Sequence, residues 1–550
     1  MKISILSLRA RAFYKFNALR PGATGGMLLT RVITGERGGI GMSNLRGIGR
    51  GAAGWVVLVV FSVGVLVASL LAKAGGSSNA IPSAFSRSPR NVIVICMDTV
   101  RFDSFSLPER SGNPDLFTPW IAQAIDYHNA SSVSSWTIPS VATVLTGLYP
   151  QQHAAGSLAG VPANLSTTTP TVLSGEAVTF PDILRTRNFT TYAITASPFV
   201  SETTGLLKGI ERSESVASTE VAPHAVKWLQ DRASQSERWF LYLHFMDAHE
   251  DHIEGLPEVR LHAAELSPAL RQATLRTAPR GICADPGNDE CLRYQAYVNS
   301  LTRLRKNLGT VLNALARTGL QEDTLVVLFS DHGEEFREHR TQELALGGDM
   351  RGDTRGYYGE GHGQSMFREL LHVPVLVWYP GIAPRVSAAP ISLVDLAPSI
   401  LDWVKAPPLP TQAGRTLDAR ATRRSLPPHR MMFASGIAYG YPQQAVTWNE
   451  WKLIQVSCVG EQYLFNHRTD PEEQHPVHDV AVERSLARGL LRYDGLDSLR
   501  RNSASRFSEE QLSSLRSLGY LQGGPATARV SCPKPGSLAA AGSATEAKAD

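Results

Sequence analysis

Two stretches far apart in the chain, NVIVICMDTVR at Asn91 to Arg101 and TLVVLFSDHGEEF at Thr324 to Phe336, begin as unbroken runs of aliphatic and β-branched residues. Runs without polar alternation suit strands covered on both faces, as in a parallel sheet with helices on each side. Each run delivers acids at its carboxyl end, and ligands of such sheets bind just beyond the strand carboxyl ends. The pattern therefore predicts that Asp98, Asp331 and His332 converge on one point and form a metal site. An Asp after a strand also commonly caps the next helix, so that reading rests on the three residues together.

Other periodicities fill in the frame. Between Tyr297 and Arg317, Leu301, Leu304, Leu308, Leu312 and Leu315 recur at helical spacing, which predicts a helix packed on the sheet before the Thr324 strand. Polar stretches at Leu158 to Glu176 and Asp251 to Glu290 predict loops over the site, where substrate preference would be set. From about Pro427 the pattern shifts to short aromatic strands.

In SSWTIPSVATVLTGLYPQQH, Ser134 to His153, a polar turn leads into an apolar helical run ending near Gly147. With Thr137, Pro139, Ser140, Leu145, Thr146, Gly147, Tyr149, Pro150 and His153, this segment resembles the sulfatase family of the alkaline phosphatase superfamily. The resemblance continues through FPDILRTRNFTTYAITASPFV, FLYLHFMDAH, YYGEGHGQSMFRELLHVPVLVWYPG, VDLAPSILDW, YLFNHRTDPEE and the closing EEQLSSLRSLGYL, roughly residues 91 to 522. It implies an α/β/α sandwich around a mostly parallel sheet, with a small C-terminal antiparallel-sheet subdomain and terminal helix. It also implies hydrolysis of anionic esters with a divalent metal held by Asp98, Thr137, Asp331 and His332. His249 and His362 are the implied binders of the substrate's oxygens or proton donors to its leaving group.

Two departures bear on chemistry. Sulfatases carry a Cys or Ser that is oxidised to formylglycine and an Arg four residues later, whereas this chain has Thr137 and Val141. A secondary alcohol cannot give the aldehyde, so no formylglycine is expected. A sulfated Thr lacks the exit that the aldehyde hydrate supplies, while a phosphorylated Thr can be displaced at phosphorus with metal assistance. The expectation is a Thr nucleophile acting on phosphoesters, mono- or diester. Sulfuric ester hydrolysis, phospholipid head-group transfer and a catalytically silent binding protein stand as alternatives. Asp247 with His249 and His362 could form a second metal site. An imidazole ligand and Thr99, where sulfatases often have a second Asp, favour zinc or manganese, with calcium possible.

Charge and cysteine usage speak to location. Gly51 to Ala72 has no charged residue, and residues 1–51 hold nine Lys or Arg against one Glu. Their net charge of +8, against +4 for the whole chain, leaves the remainder at −4, so the basic balance does not mark a nucleic-acid surface. The pattern predicts a basic cytoplasmic leader at 1–51, with Met42 an alternative start to Met1. A transmembrane signal anchor at 52–72 and a linker at 73–90 would follow, with the catalytic domain at 91–426 outside the cytoplasm. Cleavage at the Ala72, Lys73, Ala74 pattern would instead yield a secreted protein. A subdomain at 427–522 and an Ala, Gly and Ser rich disordered tail at 523–550 complete the division. Cys96 falls in the first strand as a buried thiol, Cys283 and Cys291 flank a polar loop as a local disulfide, and Cys458 could pair with Cys532. The expected partners are the membrane and a small-molecule, glycan or lipid ester. The sequence leaves the leaving group and the oligomeric state open.

Overall fold

The protein was analysed as a computed structural model that describes residues 88–520 apart from 111–114, 160–162, 167, 280, 341, 343–359, 418–429, 458–459, 500–503 and 519. The expected membrane anchor, most of its linker, the C-terminal tail and both Cys458 and Cys532 lie outside the described residues. Among the described residues, no helix is long and apolar enough to cross a membrane.

An eight-stranded sheet forms the centre. Its strands are β1 (Asn91–Met97), β2 (Ile125–Tyr127), β3 (Phe189–Thr195), β4 (Arg212–Ser215), β5 (Arg238–Phe245), β6 (Thr324–Phe329), β7 (Val375–Trp378) and β8 (Arg385–Ser387). They lie in the order β8-β2-β7-β6-β1-β5-β3-β4, and β7 alone runs against its neighbours. β1 is flanked by β6 and β5, with Val92 in register with both Leu325 and Phe240.

The absence of alternation in β1 has the anticipated cause. Val92, Val94 and Cys96 belong to an apolar layer with Ile138, Val141 and Val144 of α1 (Thr137–Thr146). Ile93, Ile95 and Met97 belong to another, on the opposite face, with the leucines of α2 (Asp289–Arg317). Both faces of the strand are thus covered, and burying a side chain of this size stabilises by about 1.5–3 kcal/mol. Leu301, Leu304, Leu308, Leu312 and Leu315 are all buried as their spacing predicts. α2 nevertheless begins eight residues before Tyr297. Asn288 caps it by accepting the Cys291 N–H at 2.7 Å, and Cys291 is joined to Cys283 by the expected disulfide.

The Asp251 to Glu290 segment is not a loop. It contains helices Leu256–Ala264 and Pro268–Thr277, each with proline in its first turn, and Ser267 caps the second. Proline at that position is preorganised for helix and gives up only an N–H that would have no helical partner.

The second sheet joins β9 (Met432–Ser435), β10 (Gln443–Trp448), β11 (Trp451–Val456) and β12 (Glu461–Asn466) as consecutive antiparallel neighbours. α3 (Val480–Asp494) covers it, placing Leu486 and Leu490 against Val446, Leu453 and Leu464. α4 (Glu509–Ser517) follows, with its Ser508 cap accepting the Gln511 N–H.

A buried polar network connects the two sheets. Glu473 accepts from Lys452 at 2.9 Å and from the backbone of Arg368 at 3.0 Å, and it pairs with His467 at 2.6 Å. The Glu473 carbonyl accepts from His339 Nε2 at 3.0 Å, while His339 Nδ1 meets Glu369 at 2.7 Å and the ring stacks on Phe367. Burial opposes the charge of His339, but Glu369, Glu473 and Glu338 outweigh it and raise its pKa to about 9. The folded value exceeds the ordinary 6.5. The stabilisation is therefore fully present below about pH 6.5 and is lost as pH rises through about 9. The urea midpoint should fall across that interval and the slope should be flatter in His339→Gln; equal slopes in the two proteins would contradict this account.

Candidate active site

Asp98 follows β1 directly, and Asp331 lies two residues beyond β6. The turn after β1 places Thr99 at φ 60° and is pinned from both sides. Ser330 Oγ accepts the Val100 N–H at 2.9 Å, and the Tyr297 hydroxyl from α2 accepts the Arg101 N–H while donating to the Thr99 carbonyl. Trp136, buried and extended just before α1, donates its indole N–H to the Gly436 carbonyl. These contacts set the turn and the start of α1 opposite each other, with Thr137 as the first residue of the helix.

Thr137 Oγ1 lies 3.5 Å from Asp98 Oδ2 and 3.4 Å from His332 Nε2. The same imidazole nitrogen is 3.4 Å from Asp98 Oδ1 and 3.5 Å from Asp331 Oδ2. His332 Nδ1 donates to the Gly333 carbonyl at 2.9 Å, which leaves the Nε2 lone pair facing the cluster when the ring is neutral. Thr137, Asp98, Asp331 and His332 are all 0% exposed.

Asp98 Oδ1 and Asp331 Oδ2 are buried without a hydrogen-bond partner. Burial and the neighbouring Asp98 charge push Asp331 upward. Burial acts the same way on Asp98, but the His244 hydrogen bond and the His332 and His244 charges hold it below the usual carboxylate range. Two unsatisfied carboxylate oxygens, an imidazole nitrogen and a hydroxyl converging in a fully buried region form a donor set suited to a divalent cation. Asp98, Asp331 and His332 have ligand atoms within 4.8 Å of one another, so the expected trio is brought together.

His249 and His362 also meet as expected, with ring centroids 5.1 Å apart. Burial, reinforced by His362, lowers the His249 pKa to about 3, and burial likewise lowers that of His362, so both imidazoles are neutral near pH 7. The alternative second metal site does not assemble. Asp247 is engaged by Arg303 at 3.2 Å and Asn307 at 2.9 Å, both from the middle of α2, and by Ser218 at 3.4 Å.

Three polar residues of the site, His244, Glu334 and Tyr520, had no role assigned from sequence. His244 Nε2 binds Asp98 Oδ2 at 2.9 Å and its Nδ1 meets the Tyr242 hydroxyl at 2.9 Å. Glu334 contacts His362 Nδ1 at 2.9 Å through one oxygen and His252 Nε2 at 3.3 Å through the other. Tyr520 reaches the site from the far end of the chain. A signal existed for His244, the one polar ring in the FLYLHF run, and for Glu334, which follows Asp331 and His332 in SDHGE.

The Sulfatase family model matches residues 90–406, more than half of the sequence, and the chain belongs to the sulfatase family. Its similarity to arylsulfatase K of Gallus gallus is 33% identity over 189 residues, covering 32% of this chain and 31% of that protein. Steryl-sulfatase of Mus musculus is 33% identical over 239 residues, covering 36% of each. Choline-sulfatase of Rhizobium meliloti is 27% identical over 184 residues, covering 32% of each. The chain thus matches only about a third of the length of these relatives.

In fold it is similar to a structure solved with its substrate D-glucosamine-2-N,6-O-disulfate, with a TM-score of 0.56 and 16% identity over 74% of this chain and 98% of that one. A phosphonate monoester hydrolase from Silicibacter pomeroyi gives a TM-score of 0.51 and 18% identity over 73% and 94%. The family depends on a divalent metal, in keeping with the donor set around Asp98, Asp331 and His332.

Purified protein should retain a divalent ion through gel filtration, measured by elemental analysis, and Asp331→Asn should lose it. Undiminished metal in the variant would mean that this cluster is not the site.

Proposed function

We propose that the protein is a metal-dependent hydrolase of anionic esters in which Thr137 is the nucleophile and phosphoesters, mono- or diester, are the favoured substrates. The carrying observation is the Thr137 hydroxyl, held 3.4 and 3.5 Å from His332 and Asp98 where sulfatases generate their aldehyde. Oxidation of a secondary alcohol stops at a ketone, so formylglycine is not part of the proposed chemistry. Val141, in place of the sulfatase Arg, packs in the apolar layer and supplies no charge.

A divalent ion bound by Asp98, Asp331 and His332 would supply Lewis acidity at the attacked group and favour the ionised form of the Thr137 hydroxyl. The imidazole and the Thr99 hydroxyl, which stands in place of a second acid, favour zinc or manganese over calcium. Thr137 Oγ1 gives up its proton to the neutral His249 and His362 pair as it attacks phosphorus in line, the ester P–O bond breaks, and the departing oxygen takes that proton. Glu334 accepts from His362 Nδ1 and thereby fixes which nitrogen faces the substrate. Water then attacks phosphorus and releases Thr137. The unpaired N–H groups at the start of α1 favour the anionic group throughout.

Sulfate ester hydrolysis is the second reading, favoured by the names of the relatives just described. We also place the catalytic part outside the cytoplasm, tethered by residues 52–72. The Cys283–Cys291 disulfide supports an oxidising compartment.

Metal-loaded protein should turn over an aryl phosphate monoester or diester faster than the matching aryl sulfate. Thr137→Ala should lower the rate by roughly a thousandfold or more. Turnover of the sulfate alone would overturn the phosphoester reading, and full activity in the variant would remove Thr137 as nucleophile.

A further inference from the structure

α4 ends at Ser517, and three residues later the chain carries Tyr520 into the centre of the site. The phenolic oxygen is 2.9 Å from His249 Nε2 and 2.9 Å from His362 Nε2. The ring stands edge-on to Phe199 with centroids 4.6 Å apart. The Tyr520 carbonyl accepts from Ser166 Oγ at 3.2 Å and from the Tyr439 hydroxyl at 3.1 Å, and its N–H donates to the Leu515 carbonyl. Tyr520 is 4% exposed.

In-line attack needs the electrophilic atom about 3–3.5 Å from the nucleophile. The phenolic oxygen satisfies the two imidazoles proposed to receive the ester, and the His362 ring lies 4.4 Å from that of His332, whose Nε2 is 3.4 Å from the Thr137 hydroxyl. A phosphoryl group received by both imidazoles would take the place the phenolic oxygen now holds.

The element that brings the tyrosine in is lightly held. Among the residues of α4 only Leu515 is buried, and its side-chain link to the body is the Thr203 hydroxyl donating to Gln511 at 3.3 Å. A nine-residue helix with one buried side chain has little local stability of its own. Tyr520 is held by the two imidazoles, by the two hydroxyls on its carbonyl and by the apolar layer it shares with Leu515 and Phe199.

We infer that Tyr520 is an intramolecular occupant of the active site, displaced by the incoming ester, so that the C-terminal helix and its tyrosine govern access to Thr137. This gate rests on the reading of Thr137, His249 and His362 given above. It adds an equilibrium between closed and open states, and apparent substrate affinity is reduced by the fraction of molecules that are closed.

The test uses the full metal-loaded chain with two readouts, inorganic phosphate binding by calorimetry and steady-state hydrolysis of an aryl phosphodiester. Tyr520→Ala should bind phosphate about tenfold more tightly and lower KM to a similar degree, with kcat maintained or raised. Tyr439→Phe, which loosens the segment without touching the site, should shift both in the same direction by less. Loss of kcat at unchanged KM in both Tyr520→Ala and Tyr520→Phe would overturn the gate and make the phenol a catalytic donor. Unchanged phosphate affinity in Tyr520→Ala would also overturn it. Tighter phosphate binding without phosphodiester turnover would support the gate while removing the phosphoester reading.

Discussion

Asp98 and Asp331 bring two carboxylates into the fully buried interior, and their mutual repulsion sets the conditions for everything around them. Removing one such ion from water costs several kcal/mol even after relaxation, unless cations or hydrogen bonds compensate. The protein supplies part of that compensation. His244 binds one oxygen of Asp98, the His332 N–H binds one oxygen of Asp331, and the His332 ring stands between the acids. The two remaining oxygens, Asp98 Oδ1 and Asp331 Oδ2, both face His332 Nε2, which is itself 3.4 Å from the Thr137 hydroxyl, so the charge left uncompensated by the fold is concentrated where a cation and a nucleophile would meet. The layers on either face of β1 exclude the water that would otherwise screen this charge.

Much of this geometry was legible because it is local. A β-branched run that ends in an acid carries its fold and its chemistry in the same few residues, and β1 and β6 both have that form. The leucines of α2 are equally self-explanatory, as is the Cys283–Cys291 pair across a short loop. The reversed direction of β7 is less accessible, because HVPVLVW has the composition of a buried strand of either orientation. Direction is set by the path between β6 and β7, which local pattern does not encode. The helices within Asp251 to Glu290 were obscured by polar composition, since they bury only a few side chains each.

Site residues that act through others were the hardest to read. His244 matters because it faces Asp98 across the β1–β5 pairing, and Glu334 because it spans two histidines. Tyr520 lies hundreds of residues from Thr137, and its block within the family resemblance gave no hint of where the phenol would point. Conversely, Asp247 has the residue type and neighbourhood of a ligand but is drawn into an ion pair with Arg303 on α2. Sequence supplies the candidates, and competition for partners decides among them.

The parallel pairing of Cys96 with Phe329 fixes how these strands can change over time. Two residues beyond that pair stand Asp98 and Asp331, so the acids occupy equivalent steps on neighbouring strands. Side chains alternate faces along a strand, and a slip of one residue would send one acid to the opposite layer. A single-residue insertion or deletion in either strand alone would part the two acids, while a matched change in both would preserve their alignment. β1 and β6, with the short steps that lead from each to its acid, are therefore bound to evolve in step in length.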